Sequence, residues 1–160
     1  MLSSFDCNEE EINKAFKEVT KSNKNKRVIL LINKGDKVLG FIAFSLVTTS
    51  LIQNGESPIT QFPVVNIDLL GVDKTEQRRG IGTQLVTCAL RMALSIDCLI
   101  PLHGVHLEAL EDAIEFYTEL GFQDLGFYYP GRKRAQMFFS MESIRKIPPL
   151  IVYPNPFNIH

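Results

Sequence analysis

The sequence predicts a mixed α/β fold in a single domain. Three observations support this prediction: several apolar runs typical of strands, segments in which apolar residues recur at helical spacing, and a length of 160 residues. Hydrophobic residues make up 45% of the chain, which is enough to bury a core without disulfides. The predicted element order is α-β-β-β-α-β-α-β-β, with one domain over residues 1–146 and a proline-rich tail over residues 147–160.

The first half of the chain predicts a helix, a hairpin and a central strand. Asn8 and Glu11 match a capping box, and the apolar residues of NEEEINKAFKEV then recur at i, i+3, i+4 and i+7. RVILLIN and VLGFIAFSLVTT predict two strands joined by the turn KGDK. After a loop with Asn-Gly and Ser-Pro, the nearly apolar run VVNIDLLGV predicts a central strand that Asn66 and Asp68 interrupt.

The second half predicts two further helices and three strands. A helix follows Gly82, since Leu85, Ala89 and Met92 recur at spacings of four and three. LHGVHL predicts a strand, and EALEDAIEFYTELGF predicts a second helix that ends before Gly121. FYYPGRKRAQMFFSM predicts a hairpin around its Pro-Gly pair.

Composition narrows the class of protein. The formal net charge of -1 gives no overall attraction to nucleic acid or to an anionic membrane, and the basic clusters at residues 21–27 and 132–134 are typical of a solvated face. Three cysteines without a C-x-x-C pattern fit a reducing compartment, so we expect a cytoplasmic protein without a membrane partner. His103 and His106 should point to opposite faces of a strand, so no metal site is predicted.

The stretch EQRRGIG, residues 76–82, predicts a phosphate-binding loop. Gly80 and Gly82 permit positive φ and leave no Cβ in the way, so a turn into a helix can aim several N–H groups at one anion. Arg78 and Arg79 add positive charge at the rim. A Walker A loop is excluded because its string is absent, and the dinucleotide motif fails because Leu85 stands at its third glycine.

Two blocks of the sequence match one known family. QRRGIG resembles the Q/R-x-x-G-x-G/A signature of the Gcn5-related N-acetyltransferases, and AIEFYTELGF resembles their A-x-x-F-Y-x-x-x-G-F block. By element order the resemblance covers residues 5–142. It implies an acyl-CoA N-acyltransferase fold, with a mixed, mostly antiparallel central sheet and helices on both faces. It also implies an enzyme that moves the acetyl group of acetyl-CoA, its cosubstrate, to a primary amine without a metal.

The resemblance also implies roles for individual residues. Acetyl-CoA would lie where the central strand splays from LHGVHL, along Leu70, Gly71 and Val72. Its diphosphate would sit on the loop, which comprises Gln77, Arg78, Arg79, Gly80, Ile81, Gly82 and Thr83. The Tyr117 hydroxyl would donate a proton to the departing thiolate.

The acceptor side of the reaction is left open by the sequence. Asn66 and Asp68 share one face of the central strand and are candidates to meet the acceptor amine. The base could be Asp68, Glu108, His106 or water.

The acceptor itself has three candidates: a small amine, a protein amino group or an aminoacyl-tRNA. FDC near the start and VDKTEQRRGIG in the middle resemble a subgroup of toxin-type acetyltransferases that act on aminoacyl-tRNA. The chain departs from that subgroup at Asn8, Gly71 and Arg78, which stand for a glycine, an alanine and a glycine. An alternative of another class is a non-catalytic acyl-CoA binding or sensor module, and a homodimer is compatible with either class.

Overall fold

The central feature of the fold is a six-stranded sheet. We describe it from a computed structural model that covers residues 4–22, 25–49, 61–127 and 134–148. The elements, in chain order, are α1 (Glu10–Lys21), β1 (Arg27–Ile32), β2 (Val38–Thr49), β3 (Phe62–Val72), α2 (Ile81–Asp97), β4 (Gly104–Leu110), a 3₁₀ turn (Glu111–Ala113), α3 (Ile114–Glu119), β5 (Gln123–Phe127), β6 (Arg134–Ser140) and α4 (Met141–Lys146). The strand order across the sheet is β1-β2-β3-β4-β6-β5.

The sheet is mostly antiparallel, as predicted. Among the described strands only β3 and β4 pair in parallel, because α2 connects them as a crossover. Helices cover both faces. On one face α1 packs through Phe16, whose ring centroid lies 4.5 Å from that of Phe41 on β2. On the other face α2 and α4 bury apolar side chains such as Leu85 and Ile144 against the strands.

The sheet opens between β3 and β4. The two strands pair only from Val64 and Gly104 to Ile67 and Leu107. Beyond that point β3 stays paired with β2 as far as Val72, and β4 stays paired with β6 as far as Leu110. Each strand therefore follows its outer neighbour, and the ends of β3 and β4 diverge into a cleft.

A β-bulge lies where this cleft begins. Leu69 of β3 is opposite Ala43 of β2, whereas Ile67 is opposite Phe44. Asp68 is therefore the extra residue and has no partner on β2. A bulge bends the strand and changes the direction of its side chains, a feature that is frequent next to active sites.

The structure corrects two predicted helix boundaries. The second predicted helix begins later than expected, because Glu108 to Leu110 complete β4 by pairing with β6, and α3 spans only Ile114–Glu119. The predicted capping box is wrong: Glu9 is the N-cap of α1 and makes no side-chain cap. Asn8 instead adopts a left-handed conformation with φ 68°.

A short helix at the end of the domain was not predicted. α4 follows β6 directly, and its N-cap Ser140 accepts a hydrogen bond from the Ser143 N–H at 3.2 Å. Several predicted features lie outside the described residues, namely most of the loop before β3, the Pro-Gly turn of the last hairpin, the cations at 132 and 133, and residues 149–160 of the tail.

Two further observations concern the whole described chain. Cys7, Cys88 and Cys98 are free thiols. Among the helices that the structure describes, none has the length and apolar character needed to cross a bilayer.

Candidate active site

A cavity of about 520 Å³ occupies the cleft at the end of β3. Its walls come from β3, the loop before α2, the 3₁₀ turn and α3, and among its lining residues are Leu70, Gly71, Val72, Gln77, Arg78, Gly80, Gly82, Thr83, Phe116 and Tyr117. Nine of the ten were predicted site residues, which the fold brings together from distant parts of the chain. The exception is Phe116.

The start of α2 is suited to an anion. Gly80 is the N-cap, with φ 79° and no side-chain cap. The first backbone bond of the helix runs from the Gln84 N–H to the Gly80 carbonyl at 3.0 Å. The preceding N–H groups therefore have no intrahelical partner, and they lie at the positive end of the helix dipole. Such a group of free N–H donors at a helix N-terminus is a typical binding site for a phosphate.

The two loop arginines differ in their surroundings. The Arg79 Nη1 donates to the Glu76 carboxylate at 2.6 Å, and Arg79 does not line the cavity. Arg78 does line it, and within the described residues its guanidinium has no ion pair. Ile81 points away and is buried in the core. Of the two cations, Arg78 is therefore the one available to a phosphate.

The two segments that carry the family resemblance, QRRGIG and AIEFYTELGF, are in contact at Gly82. A Cβ at Gly82 would lie 3.1 Å from the Phe116 ring, a distance tighter than ordinary van der Waals contact. The sequence predicts that Gly82 leaves room for the approach of a phosphate. In the structure its missing Cβ leaves room for the Phe116 ring, where α2 meets α3.

The departures from the toxin-type pattern have structural explanations. Asn8 and Arg78, which replace glycines, have φ of 68° and 59°, so the left-handed backbone is retained without the glycine. Gly71 replaces an alanine, and a Cβ there would lie 2.6 Å from the Phe41 ring. Phe41 therefore takes the space that an alanine methyl group would need.

The N-terminal segment holds the loop in place. The Gln77 side-chain amide donates to the Cys7 carbonyl at 3.1 Å and to the Val72 carbonyl at 3.2 Å. The Lys74 N–H donates to the Asp6 carbonyl at 2.8 Å. Cys7 also lines the cavity, a role that the sequence did not predict; the FDC motif was its only signal.

Tyr117 lies on the wall of the cavity. Its ring is 7% exposed and is held by edge contacts with Phe116 and Phe122, at centroid distances of 4.9 and 5.6 Å. Burial raises the pKa of the Tyr117 hydroxyl well above its usual value, so the phenol stays protonated at physiological pH. Within the described part of the chain this hydroxyl makes no hydrogen bond, which leaves it free to donate to a ligand.

The cleft continues past Tyr117 to a second large cavity. A junction of about 130 Å³ shares Leu70 and Tyr117 with the first cavity. The junction also shares Asp68 and Glu108 with a cavity of about 620 Å³ under α1. The three spaces are therefore neighbours along the cleft, and Tyr117 lines both the first cavity and the junction.

Four polar side chains form a chain of contacts in the wall of the larger cavity. The Lys26 ammonium lies 3.1 Å from Asp68 Oδ1, which also accepts from Asn66 Nδ2 at 2.9 Å. Asn66 Oδ1 lies 2.7 Å from His106 Nδ1. Asn66, Asp68 and His106 line this cavity, so both predicted acceptor-side residues are on its wall. Burial lowers the pKa of the His106 imidazole, although the nearby Glu108 carboxylate opposes this.

No metal centre is evident in the same region. Among residues 4–22, 25–49, 61–127 and 134–148, no group of three or more His, Cys, Asp or Glu side chains is arranged to hold a metal ion.

Comparison with known proteins identifies the family. The model of the acetyltransferase (GNAT) family matches residues 3–122. The solved structure of AtaT complexed with acetyl-methionyl-tRNAfMet is 27% identical, with a TM-score of 0.75, and the match covers 91% of this chain and 90% of that one. An AtaT variant bound to the C-terminus of the antitoxin AtaR and acetyl-CoA is 29% identical, with a TM-score of 0.72 and coverages of 90% and 88%.

A third structure shares the fold. A tyrosine-to-phenylalanine variant of KacT has a TM-score of 0.78 at 24% identity, with 92% of each chain covered. No curated protein matches the sequence significantly. The family match covers most of the chain, and acetyltransferases of this family use acetyl-CoA as their cosubstrate. The chain belongs to the acetyltransferase (GNAT) family and is an acetyl-CoA-dependent acyltransferase.

Proposed function

We propose that this protein transfers the acetyl group of acetyl-CoA to the α-amino group of an aminoacyl-tRNA, as a toxin-type acetyltransferase. The observation that carries the proposal is the likeness to AtaT complexed with acetyl-methionyl-tRNAfMet, which extends over 91% of this chain at 27% identity. The sequence alone left small amines, protein amino groups and aminoacyl-tRNA as candidate acceptors. The comparison favours the last of these.

The three neighbouring cavities suit a transfer between two large substrates. Acetyl-CoA would enter from the side of the phosphate loop, with backbone of Leu70 and Val72 beside its pantetheine and the N–H groups at the start of α2 on its diphosphate. The acceptor would enter through the cavity of about 620 Å³, which is within the ordinary size range of ligand sites. The narrow junction at Tyr117 then brings the two reacting groups together.

The reaction is a direct acyl transfer. The neutral amine nitrogen attacks the thioester carbonyl, a C–N bond forms, and the C–S bond breaks. The departing thiolate takes a proton, which Tyr117 supplies because its hydroxyl is protonated and has no other partner in the described residues. The amine loses one proton to solvent water, and Tyr117 regains a proton from water, so the net products are an amide and the free thiol of coenzyme A.

A small cationic amine is the second candidate acceptor. Three carboxylates, those of Glu18, Asp68 and Glu108, line the acceptor cavity against the two cations Lys26 and Arg134. Such a wall attracts an ammonium group, whereas RNA binding needs cations near its phosphates. The formal net charge of -1 points the same way.

A transfer assay separates the two acceptors. The protein is incubated with radiolabelled acetyl-CoA and a pool of charged tRNA, the esters are hydrolysed, and the amino acids are separated. We expect label on the α-amino group of one or a few amino acids, and none with uncharged tRNA. Label on polyamines or amino-acid amides, with charged tRNA left unmodified, would reject the tRNA acceptor and support the small amine.

Two further parts of the proposal concern the setting. We propose that the protein acts in the cytoplasm, where charged tRNA and acetyl-CoA are both present, and its three free thiols are compatible with a reducing compartment. A homodimer stays a prediction, to be checked by light scattering.

A further inference from the structure

Two buried hydrogen-bond acceptors in the wall of the acceptor cavity have no partner. They are Asp68 Oδ2 and His106 Nε2, and neither has a donor within the described residues. A buried carboxylate oxygen without a partner is costly and uncommon in native proteins. These two atoms lie behind the surface of the wall, but the Asp68 side chain as a whole is 14% exposed and lines the cavity, so its negative charge is within reach of a ligand group.

The hydrogen-bond chain fixes the protonation pattern of these groups. Asp68 Oδ1 accepts from the Asn66 amide, so Asn66 turns its Nδ2 toward Asp68. Asn66 Oδ1 then faces His106, and the His106 Nδ1–H must be the donor in that bond. The neutral imidazole is therefore held in one tautomer, with the proton on Nδ1 and a lone pair on Nε2.

Asp68 is the member of this chain that lies nearest to the reaction path. It is the extra residue of the β3 bulge, and it lines both the acceptor cavity and the junction that contains Tyr117. His106 lines only the acceptor cavity. Asp68 Oδ1 is held by Lys26 and Asn66, at 3.1 and 2.9 Å, which fixes the carboxylate at the cavity wall.

We propose that the Asp68 carboxylate binds the amino group of the acceptor at the entrance of the junction, and that His106 is a positioning residue that holds this carboxylate through Asn66. This inference rests on the proposed function only for the identity of the acceptor. The group that Asp68 would recognise is a primary amine or its ammonium form. Both offer two or more N–H donors to a carboxylate, whereas an alcohol offers a single O–H donor.

The arrangement orders the two substrates around the junction. Asp68 holds the amine on the side of the acceptor cavity, and Tyr117 faces the other cavity, where the thioester would lie. When the neutral amine donates an N–H hydrogen bond to Asp68, its nitrogen lone pair is left to attack the carbonyl carbon of the thioester. Lys26 pairs with Asp68 in the absence of the acceptor, since its ammonium lies 3.1 Å from Asp68 Oδ1.

Paired ligands that differ only at the reacting atom test the role of Asp68. Binding of an aminoacyl-tRNA is compared with that of the hydroxyacyl-tRNA made from it by deamination, with free coenzyme A present so that nothing reacts. We expect the parent to bind the amino form roughly 10- to 100-fold more tightly, the scale of a hydrogen bond to a charged group. Asp68→Asn should lose most of this ratio.

A matched control removes a carboxylate elsewhere. Asp36→Asn makes the same chemical change in the exposed turn between β1 and β2, outside the three cavities. It should keep the parental ratio. An equal affinity of the parent for the amino and hydroxyl forms would overturn the inference, and so would an unchanged ratio in Asp68→Asn.

Two substitutions of His106 test its positioning role. His106→Asn keeps an N–H donor close to the place of Nδ1, whereas His106→Leu removes it. We expect the Leu variant to lose roughly tenfold in the amino-to-hydroxyl ratio and the Asn variant to keep most of it. The ratio is independent of the fraction of folded protein. Equal losses in the two variants, or none in either, would contradict the positioning role.

The outcome also separates this inference from the proposed function. If the parent binds neither tRNA, the tRNA acceptor is rejected. The same comparison is then made with a small primary amine that the enzyme acetylates and with the corresponding alcohol. A preference for the amine that Asp68→Asn abolishes would support the inference for that acceptor, and no preference would overturn it.

Discussion

The substitution Arg78→Gly should separate the cost of the loop conformation from the benefit of its charge. Arg78 has φ 59°, in the left-handed region, which costs a non-glycine residue about 1 kcal/mol or more. Glycine removes that strain, but it also increases the entropy of the unfolded chain by about 0.5–1 kcal/mol. The two effects nearly cancel, so we expect the melting temperature to change by no more than about 3 °C.

The affinity for acetyl-CoA should change much more than the stability. Arg78 lines the cofactor cavity and has no competing ion pair in the described residues. A hydrogen bond to a phosphate contributes about 1.5–3 kcal/mol, which we reduce to about 1–2 kcal/mol because Arg78 is exposed. The variant should therefore bind acetyl-CoA about 5- to 30-fold more weakly.

Calorimetry with three variants tests this reasoning. Arg78→Gln removes the charge and keeps the strain, so it should lose affinity like Arg78→Gly and melt close to the parent, as Arg78→Gly does. Arg79→Gln removes a charge that Glu76 already neutralises at 2.6 Å, so it should bind acetyl-CoA nearly as the parent does. Parental affinity in Arg78→Gly, together with a loss in Arg79→Gln, would refute the assignment of Arg78 to the phosphate.

Three further substitutions have defined outcomes. Gly82→Val should lower the free energy of unfolding by about 1–3 kcal/mol, because its Cβ would lie 3.1 Å from the Phe116 ring. In thermal melts, adding Phe116→Leu to this variant should restore part of the lost stability. A Gly82→Val variant that is as stable as the parent would contradict the close contact between Gly82 and Phe116. Although burial pushes the pKa of Asp73 up, hydrogen bonds from Thr75 and Lys37 outweigh it and hold the pKa below its usual value. Its stabilisation is present above the unfolded pKa of about 3.9 and is lost as the pH falls further, so urea titrations of Asp73→Asn should show a flatter acid limb than those of the parent. Because the pKa of His106 is lowered in the folded protein, the unfolded state binds a proton before the folded state does as the pH falls below about 6.5. The free energy of unfolding should therefore decrease below that pH, and it should decrease less steeply in His106→Gln. This comparison holds when the charged groups around His106 keep the same charge in both proteins; they are Glu18, Lys26, Asp68, Glu108 and Arg134.

The fold and the cofactor side of the site could be predicted because their signals are local. The alternation of helices and strands follows from the periodicity of apolar residues. A glycine-rich turn before a helix is typical of a phosphate-binding site. The left-handed conformations of Asn8 and Arg78 are also local features. They explain why Asn8 and Arg78, which replace glycines of the toxin-type pattern, can keep the backbone conformation that a glycine would adopt.

The boundary between β4 and α3 could not be predicted because a distant strand decides it. Glu108 to Leu110 have good helical spacing with the residues that follow, yet pairing with β6, as between Leu110 and Arg134, keeps them extended. Local helix propensity predicts poorly where the same residues can instead form hydrogen bonds with a neighbouring strand.

The acceptor side was predicted only in part for the same reason. Asn66 and Asp68 were selected because they interrupt an apolar strand and share a face. Their contacts to His106 and Lys26 join residues 40 and 42 positions apart in the chain. The bulge that sets Asp68 apart depends on the register with β2, which no pattern in β3 alone reveals.

The kinetics of Tyr117→Phe test the central claim, that the acyl transfer takes place where Tyr117 meets the junction. Phenylalanine keeps the ring and its contacts to Phe116 and Phe122 and removes only the hydroxyl. We expect kcat to fall about 10²- to 10⁴-fold, while the affinity for acetyl-CoA and the melting temperature change little, which is the signature of an interaction made in the transition state. A folded Tyr117→Phe variant that transfers acetyl groups at the parental rate, with chemistry rate-limiting, would contradict the claim.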